Sequence, residues 1–191
     1  MKSLRARRAL LSDAEAIASI YAPYVTDSVV SFEMEAPDAK EMAARIAYIS
    51  PSYPWIVAED NGRIAGYVYA SQHLPRAAYQ WSANVTAYLH PDYQRKGLGK
   101  QLYRLLFGLL QRQGYRSLYG GITLPNAASE ALHRSMGMEP VGVYRNVGFK
   151  FGAWRDVIWL GMSFDDDRTP NGPPIKFEDL PNNEIDAELK I

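Results

Sequence analysis

The chain has 191 residues, the length of one domain, and its 47% hydrophobic and 22% charged residues suit an ordinary buried core rather than a disordered chain. It holds no cysteine and three histidines, which excludes disulfides, thiolate zinc sites, iron–sulfur clusters and a cysteine nucleophile and argues against a histidine-rich metal site; the expected metal content is none. Lys+Arg and Asp+Glu balance at 21 each and no apolar run is long enough to span a bilayer, so neither nucleic acid nor a membrane is expected as partner; the basic start Met1–Arg8 leads into no long apolar segment, which points to the cytoplasm.

In chain order, Leu4–Leu10 predicts a first strand. Ser12-x-x-Glu15 has capping-box spacing, and Ala14, Ile17, Ile20, Tyr21 and Tyr24 follow at helical spacing, with Pro23 near the helix end. Pro37-Asp38 can start a second helix with Met42, Ile46 and Ile49 on one face. Trp55–Glu59 and Ile64–Ala70 read as strands joined through the hairpin turn Asp60-Asn61-Gly62. Trp81–Leu89 is a further strand, closed by His90-Pro91. Leu98, Leu102, Leu105, Leu106, Leu109 and Leu110 form the apolar face of the strongest helix, which Gly114 stops. Ser117–Ile122 is a short buried strand, Asn126 opens a helix that Gly137 closes, and Val141–Tyr144 and Val157–Met162 are final strands. The order β-α-α-β-β-β-α-β-α-β-β predicts a mixed α/β sheet.

Charge divides the chain. From Asp165 onward there are eight acids and three bases, so residues 1–164 carry 13 acids and 18 bases. Four of the 12 prolines also lie beyond Asp165. Residues 165–191 therefore read as an acidic, Pro-containing C-terminal tail outside the core, dispensable for folding unless Ile175, Phe177 and Leu180 dock on the basic body or on a partner subunit.

The chemistry centres on Gln94-Arg95-Lys96-Gly97-Leu98-Gly99-Lys100, between a strand and the leucine-faced helix. Free amides at a helix N-terminus can cradle phosphate oxygens, Gly97 and Gly99 permit close approach and unusual φ, and Arg95 and Lys96 add positive charge. A P-loop is excluded: Gly99-Lys100 is followed by Gln101, and position 94 is Gln. The Rossmann fingerprint also fails, because its third glycine is missing.

The loop fits the Gln/Arg-x-x-Gly-x-Gly/Ala pattern of the GNAT acetyltransferases. Tyr53–Glu59, Arg76-x-Ala78-Tyr79-x-Trp81, Ile122-x-Leu124-Pro125-Asn126-x-x-Ser129-x-x-Leu132-His133 and Lys150-x-Gly152-x-Trp154-x-Asp156-Val157 resemble, in the same order, the phosphinothricin N-acetyltransferases within it. Ser28–Phe32 resembles that family's Ser-Thr-Val-x-Phe segment. The resemblance covers residues 4–164 and implies the GNAT acyl-CoA N-acyltransferase fold: a mixed central sheet flanked by helices, with a splayed strand pair that binds acetyl-CoA. It implies that Arg95, Lys96, Gly97, Leu98, Gly99 and Lys100 hold the pyrophosphate, and that Ala87, Tyr88 and Leu89 bond the pantetheine arm through their main chain. Asn126 and Ser129 are implied coenzyme A contacts, although Asn126 is equally a good N-cap. His133 stands where the wider superfamily often has a tyrosine that protonates the leaving thiolate; it is a candidate acid or base, or equally a buried structural histidine. Phe32, Arg76 and Tyr79 are substrate candidates, Arg76 because its fork suits a carboxylate. Lys150, Trp154 and Asp156 read as structural.

Asn84 departs from the family. Members carry a carboxylate there as the expected general base, and an amide accepts no proton near neutral pH. The proton then goes to His133 or a water chain, or the amine arrives already neutral, with Asn84 orienting a water. The expected function is acetyl transfer from acetyl-CoA to the primary amine of a small amino-acid-like compound, such as phosphinothricin or methionine sulfoximine, by direct attack in a ternary complex. The resemblance also implies a homodimer. Acetylation of another amine, on a peptide or protein, and a non-catalytic acyl-CoA-binding sensor stay open. A nucleic-acid-binding module lacks the aromatic-interleaved basic run it needs.

Overall fold

The computed structural model describes residues 4–164 and 169–190. The acidic run Asp165–Asp167 lies outside the described residues. Seven strands form one sheet in the order β1-β2-β3-β4-β5-β7-β6. The strands are β1 (Leu4–Arg8), β2 (Trp55–Asp60), β3 (Arg63–Gln72), β4 (Ser82–Leu89), β5 (Ser117–Thr123), β6 (Glu139–Lys150) and β7 (Ala153–Ser163). The helices are α1 (Ala14–Thr26), α2 (Ala39–Ile49), α3 (Leu98–Gln113), α4 (Ala127–Ser135) and α5 (Asn182–Glu188).

Strand alternation gives the sheet two apolar faces. On one, Val68, Ala70, Ala83, Val85, Leu118 and Leu160 pack under the leucine face of α3. On the other, Trp55, Val57 and Tyr67 pack against Ile17, Tyr21, Met42 and Ile46 of α1 and α2. The β2–β3 hairpin turns through Asn61 and Gly62, both at positive φ (51° and 83°), as its tight twist requires.

Three expectations from the sequence need correction. Ser12 and Glu15 form no capping box. Leu11–Asp13 is a 3-10 turn, and the Asp13 carboxylate instead accepts from the Leu10 amide (2.8 Å) and from both terminal nitrogens of Arg7 (2.6 and 2.8 Å). Strands β6 and β7 are far longer than Val141–Tyr144 and Val157–Met162. The register slips between Tyr144 and Gly148, where Asn146 has φ 50° and its amide donates to Asp156 Oδ1 at 2.8 Å. That bulge breaks the alternation by which the strands would have been read.

The third correction is the tail. Phe177 (2% exposed), Leu180 (5%) and Ile185 (1%) are buried in the α3-side core. The Ile175 amide donates to the Gln113 carbonyl (2.7 Å), Trp81 Nε1 donates to the Gly172 carbonyl (3.0 Å), and Arg112 pairs with Glu188 (2.8 Å). Arg8 lies 4.8 Å over the Phe177 ring. The described part of the tail is a strap across the body, stabilised by three buried side chains that each contribute at most about 1.5–3 kcal/mol. Cutting the chain after Phe164 is therefore expected to lower the melting temperature.

Candidate active site

The middle of the sheet opens. Strands β4 and β5 run parallel and pair at Ser82–Ser117, Ala83–Leu118 and Asn84–Tyr119, then separate, while β4 stays paired with β3 as far as Leu89. In a strand, both main-chain groups of one residue face one neighbour and those of the next face the other. The His90 amide donates to the Ala65 carbonyl on β3 (2.9 Å), so the main chain of Tyr88 also faces β3, and that of Val85, Ala87 and Leu89 faces the notch. This corrects the expectation that Tyr88 bonds a ligand through its backbone. Its ring instead packs edge-on against Tyr21 (4.8 Å) and Tyr24 (4.9 Å). The Leu89 carbonyl already accepts from Tyr24 Oη (2.8 Å) and Gln94 Nε2 (3.4 Å). Val85 closes the β4–β5 ladder, its amide turned to Tyr119 in the last pair, so among the described residues Ala87 is left with main chain on the notch side that no neighbouring strand pairs.

At the mouth of the notch lies the glycine loop. Arg95 has φ 58° and Gly97, the N-cap of α3, has φ 81°. Two left-handed residues on either side of Lys96 curve the loop sharply, the kind of curvature that can turn main-chain amides toward an anion. The first intrahelical bond runs from the Gln101 amide to the Gly97 carbonyl (3.1 Å), so the amides of Leu98, Gly99 and Lys100 have no partner within the helix. A Cβ on Gly97 would meet nothing within 4 Å, which leaves the loop open outward. Gly99 has a different role from the one expected. It is buried without positive φ, and a Cβ there would stand 3.2 Å from Leu132 Cδ2 and 3.5 Å from Leu89 Cδ1. It lets α3 approach α4. Leu98 points its side chain into the core, and Lys96 sits 5.8 Å over the Tyr93 ring.

A cavity of about 110 Å³ joins Ala87 and Tyr88 to Asn126, Ser129 and His133 of the α4 segment. Asn126 is the N-cap of α4, its side chain accepting from the Ser129 amide (3.1 Å). His133 is 5% exposed. Its Nδ1 lies 2.8 Å from the Ser129 carbonyl, which can only accept, so Nδ1 carries the hydrogen and Nε2 accepts from Tyr103 Oη at 3.0 Å. Burial lowers the pKa of His133 and raises that of the Tyr103 phenol. The ring is neutral with both nitrogens engaged, so this arrangement does not offer it as the base expected from the sequence. Tyr103, which that reading missed, sits on the leucine helix where an aromatic reads as core.

The opposite face of the sheet carries Asn84, the last β4 residue paired with β5. Its Nδ2 donates to the Gln72 carbonyl (3.3 Å), and its Oδ1 lies 2.8 Å from Nδ1 of His73. His73 stacks on Tyr119 (4.3 Å, 20°) and meets Trp159 (6.0 Å) and Tyr79 (6.2 Å) edge-on. Arg76 is exposed and caps the 3-10 turn Ala77–Tyr79. Phe32 covers Gly148 of β6, where a Cβ would fall 2.2 Å from its ring. The loop bearing Phe32 is held by Lys150, 2% exposed, whose Nζ donates to the carbonyls of Val25 (2.6 Å), Ser31 (2.7 Å) and Glu33 (2.9 Å). The predicted residues thus fall into separate groups: the coenzyme set along the notch and α3–α4, Asn84 with Tyr79 on either side of His73, exposed Arg76 at the start of the turn bearing Tyr79, and Phe32 apart from them over Gly148 of β6. Among the described residues no cluster of three or more His, Asp or Glu is placed to hold a metal ion.

The acetyltransferase (GNAT) domain family matches residues 6–159. The chain is 35% identical to a phosphinothricin N-acetyltransferase of Streptomyces viridochromogenes over 83% of its own length and 87% of that protein's. It is 33% identical to an L-methionine sulfoximine/L-methionine sulfone acetyltransferase of Salmonella typhimurium, over 62% of its own length and 70% of the relative's. The fold superposes on the phosphinothricin acetyltransferase of Sinorhizobium meliloti, solved with acetyl-CoA, with a TM-score of 0.84 and 32% identity, covering 90% of this chain and 95% of that one.

Proposed function

The chain belongs to the GNAT acetyltransferase family and is an acetyl-CoA-dependent N-acetyltransferase; from that premise we propose that its acceptor is the primary amine of a small amino-acid-like compound of the phosphinothricin or methionine sulfoximine type, attacked directly in a ternary complex. The observation that carries this reading is the notch between β4 and β5, with the main chain of Ala87 on its inner side unpaired by any neighbouring strand among the described residues. It runs toward three amides at the start of α3 that have no partner within the helix. An extended amide-bearing arm fits the first feature as an added strand would, and a pyrophosphate fits the second. Asn126 and Ser129 line the same cleft and are assigned to the coenzyme. A notch-facing amide of β4 also suits a thioester oxygen as it gains negative charge.

On the amine side, Arg76 is assigned to a substrate carboxylate and Tyr79 and Phe32 to the walls. The absence of cysteine from the sequence supports direct transfer, with no thioester formed on the enzyme through a cysteine. Acetyl-CoA supply suits a cytoplasmic setting, and among the described residues no helix is long and apolar enough to cross a membrane. A homodimer is supported by the β6 edge strand, which exposes Val141, Tyr144, Val147 and Phe149.

The test is release of free coenzyme A from saturating acetyl-CoA across a panel of amines. Turnover is expected with a zwitterionic amino-acid analogue and to be much weaker with a peptide N-terminus. Preference for the peptide would move the assignment to a protein amine. Tight acetyl-CoA binding without release on any amine would replace the enzyme by a sensor.

A further inference from the structure

The amide at position 84 leaves the reaction without its expected proton acceptor, and the residue touching that amide is a histidine. His73 lies just beyond β3. Because Ser71 pairs with Asn84 across the β3–β4 ladder, residues 71, 73 and 84 share one face of the sheet. That face meets the notch where β4 and β5 part, since Asn84–Tyr119 is the last pair before they separate.

The hydrogen bonds fix which nitrogen of His73 is available. Asn84 Nδ2 donates to the Gln72 carbonyl, which only accepts, so the amide oxygen must face the imidazole. An oxygen 2.8 Å from Nδ1 requires a hydrogen on Nδ1, which leaves the lone pair on Nε2. Among the described residues Nε2 has no hydrogen-bond partner. The ring is held by stacking on Tyr119 and by the edges of Trp159 and Tyr79. Trp159 Nε1 is itself a buried donor without a partner among the described residues, so the wall beside His73 has an unspent polar group as well.

We propose that His73 is the general base of the acetyl transfer and that Asn84 is its positioning residue, holding the imidazole in the tautomer with Nε2 open. The inference rests on the amine-acetylating function above. Nε2 takes one proton from the substrate ammonium, giving imidazolium and a neutral amine. The amine lone pair forms the N–C bond to the thioester carbonyl. The C–S bond breaks, its electron pair leaves with the coenzyme A sulfur, and the sulfur takes the second nitrogen proton. The imidazolium then returns its proton to solvent, so one ammonium and one thioester yield one amide, one thiol and one proton.

The ionisable groups in ring contact with His73 are the phenols of Tyr79 and Tyr119; Trp159 and Asn84 are neutral. Two experiments test the assignment. First, kcat and KM are measured against pH, at saturating acetyl-CoA, for the wild type and for His73→Phe, which keeps a ring against Tyr119. The expected result is a loss in kcat of about 10²-fold near pH 7 with little change in KM. The residual rate should climb with pH as free amine becomes neutral, and imidazole should partly restore His73→Ala. Second, nitrogen-15 spectroscopy of the imidazoles above pH 8 should show His73 as the Nδ1–H tautomer, and Asn84→Ala should mix the tautomers. A Phe variant within twofold of wild type with an unchanged profile, or an Nε2–H tautomer in the wild type, overturns the base assignment alone. A wild type that acetylates no amine overturns the enzyme reading and the base with it.

Discussion

The two sides of the active site are built from different material. The coenzyme side consists of strand edge, loop curvature and helix terminus: the open main chain of Ala87, the positive φ of Arg95 and Gly97, and the free amides at α3. The amine side consists of side chains: His73, Asn84, Arg76 and Tyr79, carried by β4 and the β3–β4 connection, with Phe32 assigned to it from the α1–α2 connection. Main-chain groups are the same in every residue, so the first side depends on conformation and tolerates changes of side chain. The second depends on residue identity, so one exchange, such as an amide for an acid, changes the chemistry.

Substitutions that act on the backbone should therefore separate the two sides. The largest effect is expected from Ala87→Pro, which removes a notch-facing N–H without taking a bond from the β3–β4 ladder. Acetyl-CoA affinity should fall at least a hundredfold, about 2.7 kcal/mol, while Ala87→Ser stays within twofold, both by calorimetry on variants with wild-type circular dichroism. Equal effects of serine and proline would break the comparison. Next comes Gly97→Val. A β-branched residue is strained at φ 81°, and relaxing that strain turns the amides away. A loss of at least tenfold in acetyl-CoA affinity, about 1.4 kcal/mol, is expected. Gly99→Val is less informative because it first collides with Leu132. On the amine side, Arg76→Ala should raise KM about tenfold for an amine bearing a carboxylate, the range of a charge-assisted hydrogen bond. Acetyl-CoA affinity and kcat should hold. If acetyl-CoA affinity falls as far as amine affinity, the two sides are not separate.

The smallest effect concerns pH. Burial lowers the pKa of His133 in the folded protein. The unfolded chain then binds the proton more readily, so the stability from the neutral buried ring is full above the ordinary histidine range. It is lost as pH falls from that range through the lowered folded value. His133→Gln should flatten this part of the stability–pH curve in denaturant titrations while leaving the acid limb of kcat in place. A shifted acid limb would return His133 to the catalytic step.

These regions were also unequally legible in the sequence. Elements with a clean period, such as the leucine face of α3, were readable because burial imposes the period. The coenzyme loop was readable because a helix start that binds an anion needs glycine at a fixed place. The substitution at position 84 was visible, but its partner was not. His73 and Asn84 are brought together only by the Ser71–Asn84 register, which no local pattern announces. The opposite orientations of Ala87 and Tyr88 were hidden for the same reason: they depend on which neighbour each peptide faces. The tail escaped because Phe177, Leu180 and Ile185 span a 3-10 turn and a short helix, so their spacing has no period to detect.

The strap also sets an order of events during synthesis. Every strand of the sheet leaves the ribosome before Phe177, Leu180 and Ile185 do. The nascent body must therefore wait with the α3 surface they cover exposed to water. An exposed apolar patch on an otherwise folded chain attracts chaperones and other copies of itself. Refolding from denaturant should pass through a species that binds a hydrophobic dye and clears when the strap docks. Because Trp81 gives its indole hydrogen to Gly172 in the strap, the change in tryptophan fluorescence would report that last step.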